Sequence, residues 1–336
     1  MDREACFPVQ SRNKIDILDV NLYICNLSYF FGVFMTSVLI TGIAGFVGSA
    51  LARELIQHGY EVHGVDILPP TSARRLFDIM NKVNYHWQSI QDIRSLPYDV
   101  AVHLSAQADV PFAFTSPSYT AQTNIFGTLN LLEVLSRSKV KHFIHMSSES
   151  VYGRAEYLPI DEKHPLRPTN IYGATKASAD ILAQTYARCF ELPITILRSG
   201  TLYGPTMRMK QVVSIFLKQA LEGKPITVEG GTQTRDFNYV SNYVDFVLTA
   251  IENPDKTIGE IYNVASGRET SIKELAELCI KVAKSSSKLT IKPFRPGEKG
   301  LRLALDISKA KSLGWSPKIN LEEGLARTYE WLKGCS

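Results

Sequence analysis

Residues 37–49, "SVLITGIAGFVGS", decide the fold. Ser37–Thr41 is a short, apolar, β-branched run, the pattern of a strand buried on both faces. Glycines follow at 42, 45 and 48, and "FVGSALARELIQHG" then takes up helical periodicity until Gly59 closes it. The spacing predicts a strand, a tight glycine turn and a helix whose N-terminus points back across the turn.

Working outward, the same alternation continues. Residues 61–66 (EVHGVD), 83–87 (VNYHW), 99–105 (DVAVHLS), 141–148 (KHFIHMSS) and 193–200 (PITILRSG) read as further strands. Residues 119–138 form a long amphipathic stretch and 169–190 a helix. Apolar strands alternating with helices imply an α/β fold with a doubly wound parallel sheet, of Rossmann type, whose ligands sit at the carboxyl ends of the strands. After Gly204-Pro205 the rhythm breaks and Gly/Pro punctuation thickens, which predicts a smaller C-terminal lobe. The expected division gives 35–200 to the sheet domain, with about 236–264 returning to it, and 201–235 and 265–334 to the lobe. Residues 1–34 share little with the rest of the chain. They are expected to be a non-native or dispensable leader, with the fold opening after Met35; no basic region precedes a small-residue cleavage site, so a signal peptide is rejected.

Composition narrows the function. Of 336 residues, 45% are hydrophobic and 21% charged, as in globular proteins, and the net charge is only +4 with no run of basic residues. Nucleic acid and membrane are therefore not expected partners. The five cysteines (Cys6, Cys25, Cys189, Cys279, Cys335) are scattered and form no C-x-x-C pair. No metal site or disulfide framework is expected, and a cytoplasmic setting fits.

The glycine turn has a chemistry. Gly42, Gly45 and Gly48, with Phe46 and Val47 between them, bring bare backbone and a helix N-terminus to where a pyrophosphate could lie, although the spacing is one residue longer than the usual dinucleotide fingerprint. Asp66 ends the second strand, where an acid binds both ribose hydroxyls of NAD and repels the extra phosphate of NADP. Arg74 and Arg75 would argue for NADP but lie beyond Pro69-Pro70. Asp92 and Ile93 are expected to flank the adenine. Downstream, Tyr172 and Lys176 stand four apart on a helix and share a face. A phenol is a poor base near neutral pH, with an unperturbed pKa of about 10. The lysine ammonium and a positive nicotinamide ring are expected to lower it, so that Tyr172 can take a hydroxyl proton. The Ser148 hydroxyl would bond the substrate oxygen, and Gly173 would leave the substrate room.

Taken in order, "GIAGFVG", "HLSAQADV", "NIFGTLNLLE", "SSESVYG", "YGATK", "LYGP", "QTRDFNYV", "YNVASGRETS", "RPGE" and "DISKAKSLGW" resemble the extended short-chain dehydrogenase/reductase family, in its nucleotide-sugar epimerase/dehydratase branch, from about Val38 to Leu332. Within it the likeness is to UDP-glucose 4-epimerases. The resemblance implies NAD as cofactor and a UDP-sugar as substrate. It makes Tyr172 the base, Lys176 its activator and ribose ligand, and Ser148 the group that polarises the sugar oxygen. It sets Leu104, Ser105 and Ala106 along the cofactor and Asn124 near its nicotinamide end. Arg235, Arg295 and Glu298 would serve the nucleotide diphosphate and ribose, arginine's planar fork suiting phosphate. Thr201 stands where the family's asparagine contacts the diphosphate, and its shorter hydroxyl is expected to lose that contact or make it through water. A homodimer through the helices near 119–138 and 169–190 is implied. His103 is read as a buried strand residue.

Branch members share oxidation at C4 and differ afterwards. Dehydratases add an Asp-Glu pair after the catalytic hydroxyl residue, and decarboxylases keep a glutamate before Val-Tyr-Gly. Here those positions are Glu149 and Ser150. No cysteine lies between Cys25 and Cys189 for a 3,5-epimerase. The expectation is an isomerase: a UDP-glucose/UDP-galactose 4-epimerase working through a transient 4-keto sugar. Arg208 and Lys210, near the sugar end, keep a UDP-glucuronate 4-epimerase as the alternative, beside another dehydratase or decarboxylase and, more distantly, a non-catalytic NAD-binding sensor. Glu149 is read as a bystander or a substrate contact.

Overall fold

The computed structural model describes residues 35–294 and 299–335. The expected leader, Arg295 and Glu298 lie outside the described residues.

Seven parallel strands form the central sheet: β1 (Ser37–Thr41), β2 (Glu61–Asp66), β3 (Val83–Trp87), β4 (Val100–His103), β5 (His142–Ser148), β6 (Ile194–Ser199) and β11 (Ile261–Val264), in the order β11-β6-β5-β4-β1-β2-β3. The order reverses between β1 and β4, which opens a crevice at the carboxyl ends of those two strands. Side chains alternate between faces. Val38, Ile40, Val100 and Val102 enter one core; Leu39, Ala101 and Phe143 enter another on the opposite face. Helices α1 (Phe46–Gln57), α2 (Gly127–Leu135) and α3 (Ile171–Cys189) follow β1, β4 and β5 in the chain.

The stretch expected to be one amphipathic segment over 119–138 is broken. Short helices Val110–Thr115 and Pro117–Ala121 precede a π turn, Gln122–Phe126, which leads into α2. Pro117 caps a fresh start because it needs no backbone N–H partner there.

Beyond β6 the chain builds the second lobe from β7 (Thr201–Tyr203), helix α4 (Val212–Leu221), β8 (Ile226–Glu229), β9 (Thr234–Arg235) and β10 (Phe237–Tyr239). Helix α5 (Val240–Glu252) and β11 lead back to the sheet; β12 (Thr270–Ser271), α6 (Ile272–Ala283), β13 (Leu289–Lys292) and α7 (Leu321–Gly334) complete the lobe. Its own core joins Tyr203, Phe216, Phe237, Leu275 and Leu325. Asp236, fully buried, ties the seam: its carboxylate accepts from Ser266 N and Oγ at 2.8 and 2.5 Å, Gly267 N at 3.0 Å and Leu305 N at 3.3 Å. No helix of the described residues is long and apolar enough to cross a membrane.

Candidate active site

The glycine turn is as tight as its spacing requires. Gly42 has a φ of 73°, and a Cβ there would stand 2.9 Å from the Ser105 backbone. A Cβ on Gly48 would stand 2.2 Å from the Gly42 carbonyl oxygen, so α1 can begin this close to β1 only with glycine. Along this turn runs a cleft of about 580 Å³, lined by Gly42, Gly45, Phe46, Asp66, Leu104, Ser105 and Ala106 among others. A smaller hollow shares Gly42, Gly45, Phe46, Leu104, Ala106 and Arg208 with it and adds Val47, Gly48, Ser147, Tyr172 and Lys176. One groove thus joins the glycine turn to the Tyr-Lys pair. A roomier hollow, about 780 Å³, lies around Ser37, Asp99 and Lys141 at the amino ends of β1, β4 and β5, the opposite end of the sheet from these groups.

Asp66 is fixed from both sides. Ala44 N donates to Oδ2 at 3.0 Å and Leu68 N to Oδ1 at 3.1 Å. Each oxygen keeps a lone pair for a ligand hydroxyl. A backbone cradle that no Cβ could enter, followed by an oriented acid, suits a dinucleotide whose diphosphate meets the helix N-terminus and whose ribose meets Asp66.

The two expected adenine contacts follow directly on the Gln88–Gln91 wall of the cleft. Asp92 is largely exposed and faces Arg94 at 4.0 Å, while Ile93 is buried in the core with Leu131 and Leu132. With Gln88, which also lines the cleft, Asp92 and Ile93 line a smaller hollow beside it, at the end of the 3-10 turn Ile90–Asp92. Asn124 lines none of these hollows. It is buried, its Nδ2 donates to Gln107 O at 3.0 Å and Thr175 Oγ1 at 2.9 Å, and its Oδ1 accepts from Gln107 N at 2.8 Å. Its polar capacity is spent on bracing the loop after β4 against α3. His103 is a buried strand residue, held between the Thr41 and Thr128 hydroxyls at 2.8 and 3.0 Å.

Tyr172 and Lys176 lie in the first turns of α3, which Asn170 caps by accepting from Gly173 N at 2.8 Å. Gly173 makes room for the chain rather than for a ligand: a Cβ there would stand 2.5 Å from the Ser150 carbonyl oxygen. This close approach brings Ser148, at the end of β5, against Tyr172, with which its side chain hydrogen-bonds. Ser148 Oγ also accepts from Ser150 N at 3.2 Å. The buried Lys176 ammonium donates to Met146 O at 2.5 Å, and burial lowers its pKa to about 8 against the raising field of Asp180. The phenol of Tyr172 departs from expectation: its pKa is raised. Burial outweighs the lowering by Ser148 and by Arg208, and Lys176 directs its charge to the Met146 carbonyl.

Asp180 anchors the rear of this site. It is fully buried and takes Arg198 Nε at 2.9 Å and Nη2 at 3.2 Å, Ser147 Oγ at 2.8 Å and Gln184 Nε2 at 2.6 Å. Nothing in the spacing of Asp180 and Arg198 along the chain announces this pair.

Arg208 does not sit at the sugar end alone. It lines both hollows, and its charge acts on Tyr172 and on Arg75, whose Nε holds the Thr206 carbonyl at 2.9 Å. Thr201 is not free for a diphosphate. Its hydroxyl donates to Glu149 Oε1 at 2.6 Å. Arg235, on β9, donates to Thr234 O at 2.8 Å and its charge reaches Glu149.

Comparison with known proteins agrees with this geometry. Residues 38–265 match the family described as the NAD dependent epimerase/dehydratase family. A putative UDP-glucose 4-epimerase of Methanocaldococcus jannaschii is 34% identical over 88% of this chain and 98% of its own length. The human dTDP-D-glucose 4,6-dehydratase is 30% identical over 90% of this chain and 91% of its own. A crystal structure of the UDP-glucuronic acid 4-epimerase of Bacillus cereus, in complex with UDP-glucuronic acid and NAD, superposes with a TM-score of 0.80 at 32% identity, covering 90% of this chain and all of that one. NAD is the dinucleotide that the groove takes, and the chain belongs to the NAD-dependent epimerase/dehydratase family of nucleotide-sugar enzymes.

Proposed function

We propose that the chain is an NAD-dependent 4-epimerase of a UDP-sugar, with UDP-glucose and UDP-galactose as its substrate pair. Bound NAD supplies the hydride acceptor for C4 and the store from which the hydride returns. Tyr172 takes the proton of the C4 hydroxyl and gives it back, while Ser148 hydrogen-bonds the same oxygen as it becomes a carbonyl. Lys176 orients the cofactor ribose. The lobe formed by 201–235 and 265–334 holds the nucleotide, with Arg235, and Arg295 and Glu298 from outside the described residues, as its ligands.

The observation that carries this reading is the company Ser148 keeps. The residue two positions on is Ser150, which offers a hydroxyl and whose carbonyl oxygen abuts Gly173. Elimination of water needs an acid at the leaving hydroxyl and a base at the neighbouring carbon, and Glu149 alone does not supply both; the glutamate that decarboxylating relatives keep before Val-Tyr-Gly is Ser150 here. Returning the hydride to the other face of a rotated keto sugar needs none of these. A uronate epimerase is the second reading, favoured by the Bacillus cereus relative. Against it, Arg208, the cation offered for a sugar carboxylate, also lines the cofactor groove. We also infer a homodimer through the exposed apolar side chains Phe112, Phe114, Phe126 and Ile181, to be checked by light scattering.

The test is incubation with UDP-galactose, UDP-N-acetylgalactosamine and UDP-glucuronate separately, with products identified by NMR. Interconversion at C4 is expected with UDP-galactose. Loss of water or carbon dioxide from any of the three overturns the proposal.

A further inference from the structure

Glu149 is the residue at this site whose chemistry the epimerase reading leaves unused. It is only 5% exposed. Oε1 accepts from Thr201, and among the described residues Oε2 has no hydrogen-bond partner. A buried carboxyl oxygen left without a partner is costly, and native structures rarely keep one unless a ligand or an ordered water completes it. The surroundings name the ligand. Glu149 comes directly after Ser148, its charge acts on Tyr172, and Arg235 acts on it in turn. It therefore stands at the carboxyl end of β5, bonded to Thr201 and within electrostatic reach of the groups read as the base and as the diphosphate ligand. The neighbouring acid, Asp236, is closed off by its four donors.

We propose that Glu149 is a specificity-determining residue: its free oxygen pairs with a hydroxyl of an uncharged sugar, and its charge turns away a sugar that carries a carboxylate. This rests on the nucleotide-sugar reading and extends it to substrate class. Thr201 is part of the device. Its hydroxyl holds Oε1 and so fixes the direction in which Oε2 faces. Thr201, which stands where the family has asparagine, and Glu149 are thus one hydrogen-bonded unit.

The magnitude comes from Coulomb's law. A sugar carboxylate ~6 Å from an ionised Glu149, at an effective dielectric of about 20, loses roughly 100-fold in affinity. The discrimination is also pH-dependent. Burial lifts Glu149 to about 7, opposed by the Thr201 bond and by Arg235 and reinforced by Asp236. Tyr172 also faces it. Above this value the acid is charged and rejects a uronate. Below it, Glu149 takes a proton and the repulsion vanishes. A neutral hexose hydroxyl accepts from the protonated form and donates to the ionised one, so hexose affinity stays level.

The experiment measures binding of UDP-glucose and of UDP-glucuronate to the NAD-loaded protein by calorimetry. It is run in a Tyr172→Phe background, so that no turnover intrudes, at about pH 6 and about pH 8. Expected at the higher pH is a preference for UDP-glucose of roughly tenfold, because Glu149 can take up a proton to admit the uronate, falling to near parity at the lower pH. Glu149→Gln, which keeps the shape and the Thr201 bond, brings the two ligands within a few-fold at both pH values. Equal affinities without the substitution at the higher pH, or a preference that survives Glu149→Gln, overturn the proposal. The pH series needs no substitution at 149 and so guards against a variant that misfolds. Turnover of UDP-galactose is assayed separately on the unsubstituted enzyme. No turnover, with a preference that Glu149→Gln abolishes, sinks the epimerase reading and supports this one. Turnover without a preference does the reverse, and binding of neither UDP-sugar overturns both.

Discussion

Replacing Asp180 with asparagine removes one negative charge from a place that water does not reach. Its carboxylate takes two donors from Arg198 and one each from Ser147 and Gln184, and the Arg198 side chain is only 3% exposed. An asparagine can accept on one side only; its amide turns two N–H groups toward donors. Arg198 keeps its bonds to Tyr152 Oη at 3.1 Å and to Glu162 O at 2.9 Å, but its charge stands uncompensated. Breaking a buried pair from one side costs about 3–5 kcal/mol. In a protein of this size, where 1 kcal/mol moves Tm by about 1.5 °C, that lowers Tm by about 4–8 °C. The site responds too. Asp180 raises the pKa of Lys176, which burial has brought to about 8. Without that field the ammonium loses its proton at lower pH, and the alkaline limb of turnover moves down. Calorimetry and a pH–rate profile read the two effects from one preparation. As a control, Glu260→Gln breaks the Lys309 pair, which is largely solvated, and shifts Tm by less than about 2 °C. An Asp180→Asn protein whose Tm falls no further than that control refutes the reasoning.

Tyr172→Phe is expected to lower kcat by about 10²–10⁴ while leaving NAD binding and Tm unchanged; turnover near the parent rate would mean another group moves the proton. Gly48→Ala puts a methyl 2.2 Å from the Gly42 carbonyl oxygen. The helix must shift, at a cost of about 1–3 kcal/mol, and NAD affinity measured by fluorescence titration should fall by about tenfold or more. Asn124→Ala strands Gln107 N and Gln107 O, while the Thr175 hydroxyl keeps its bond to Tyr172 O, so a loss of about 2 kcal/mol in urea unfolding is expected.

The sheet was legible because its strands are continuous apolar runs, and the glycine turn because a tight approach leaves few residue choices. Side-chain roles were less legible, for physical reasons. Gly173 looks like space for a ligand and is space for a carbonyl. Thr201 and Glu149 sit far apart in the chain, and only β7 lying beside the end of β5 and β6 shows that one serves the other. The sign of the Tyr172 shift depends on how deeply the phenol is enclosed, which no spacing of residues reports.

The position of β11 has a consequence for biosynthesis. It is the outer neighbour of β6, yet residues 200–260 separate the two along the chain. The donors that close around Asp236 arrive later still, at Ser266, Gly267 and Leu305. A ribosome that has made β6 therefore holds a sheet with a bare hydrogen-bonding edge, and keeps it bare while the intervening lobe segments are made. Such an edge recruits other strands. Chains halted between β6 and β11 should be the ones that chaperones bind and proteases remove, and a stop codon shortly before residue 305 should be as damaging to accumulation of the protein as one in the middle of the sheet.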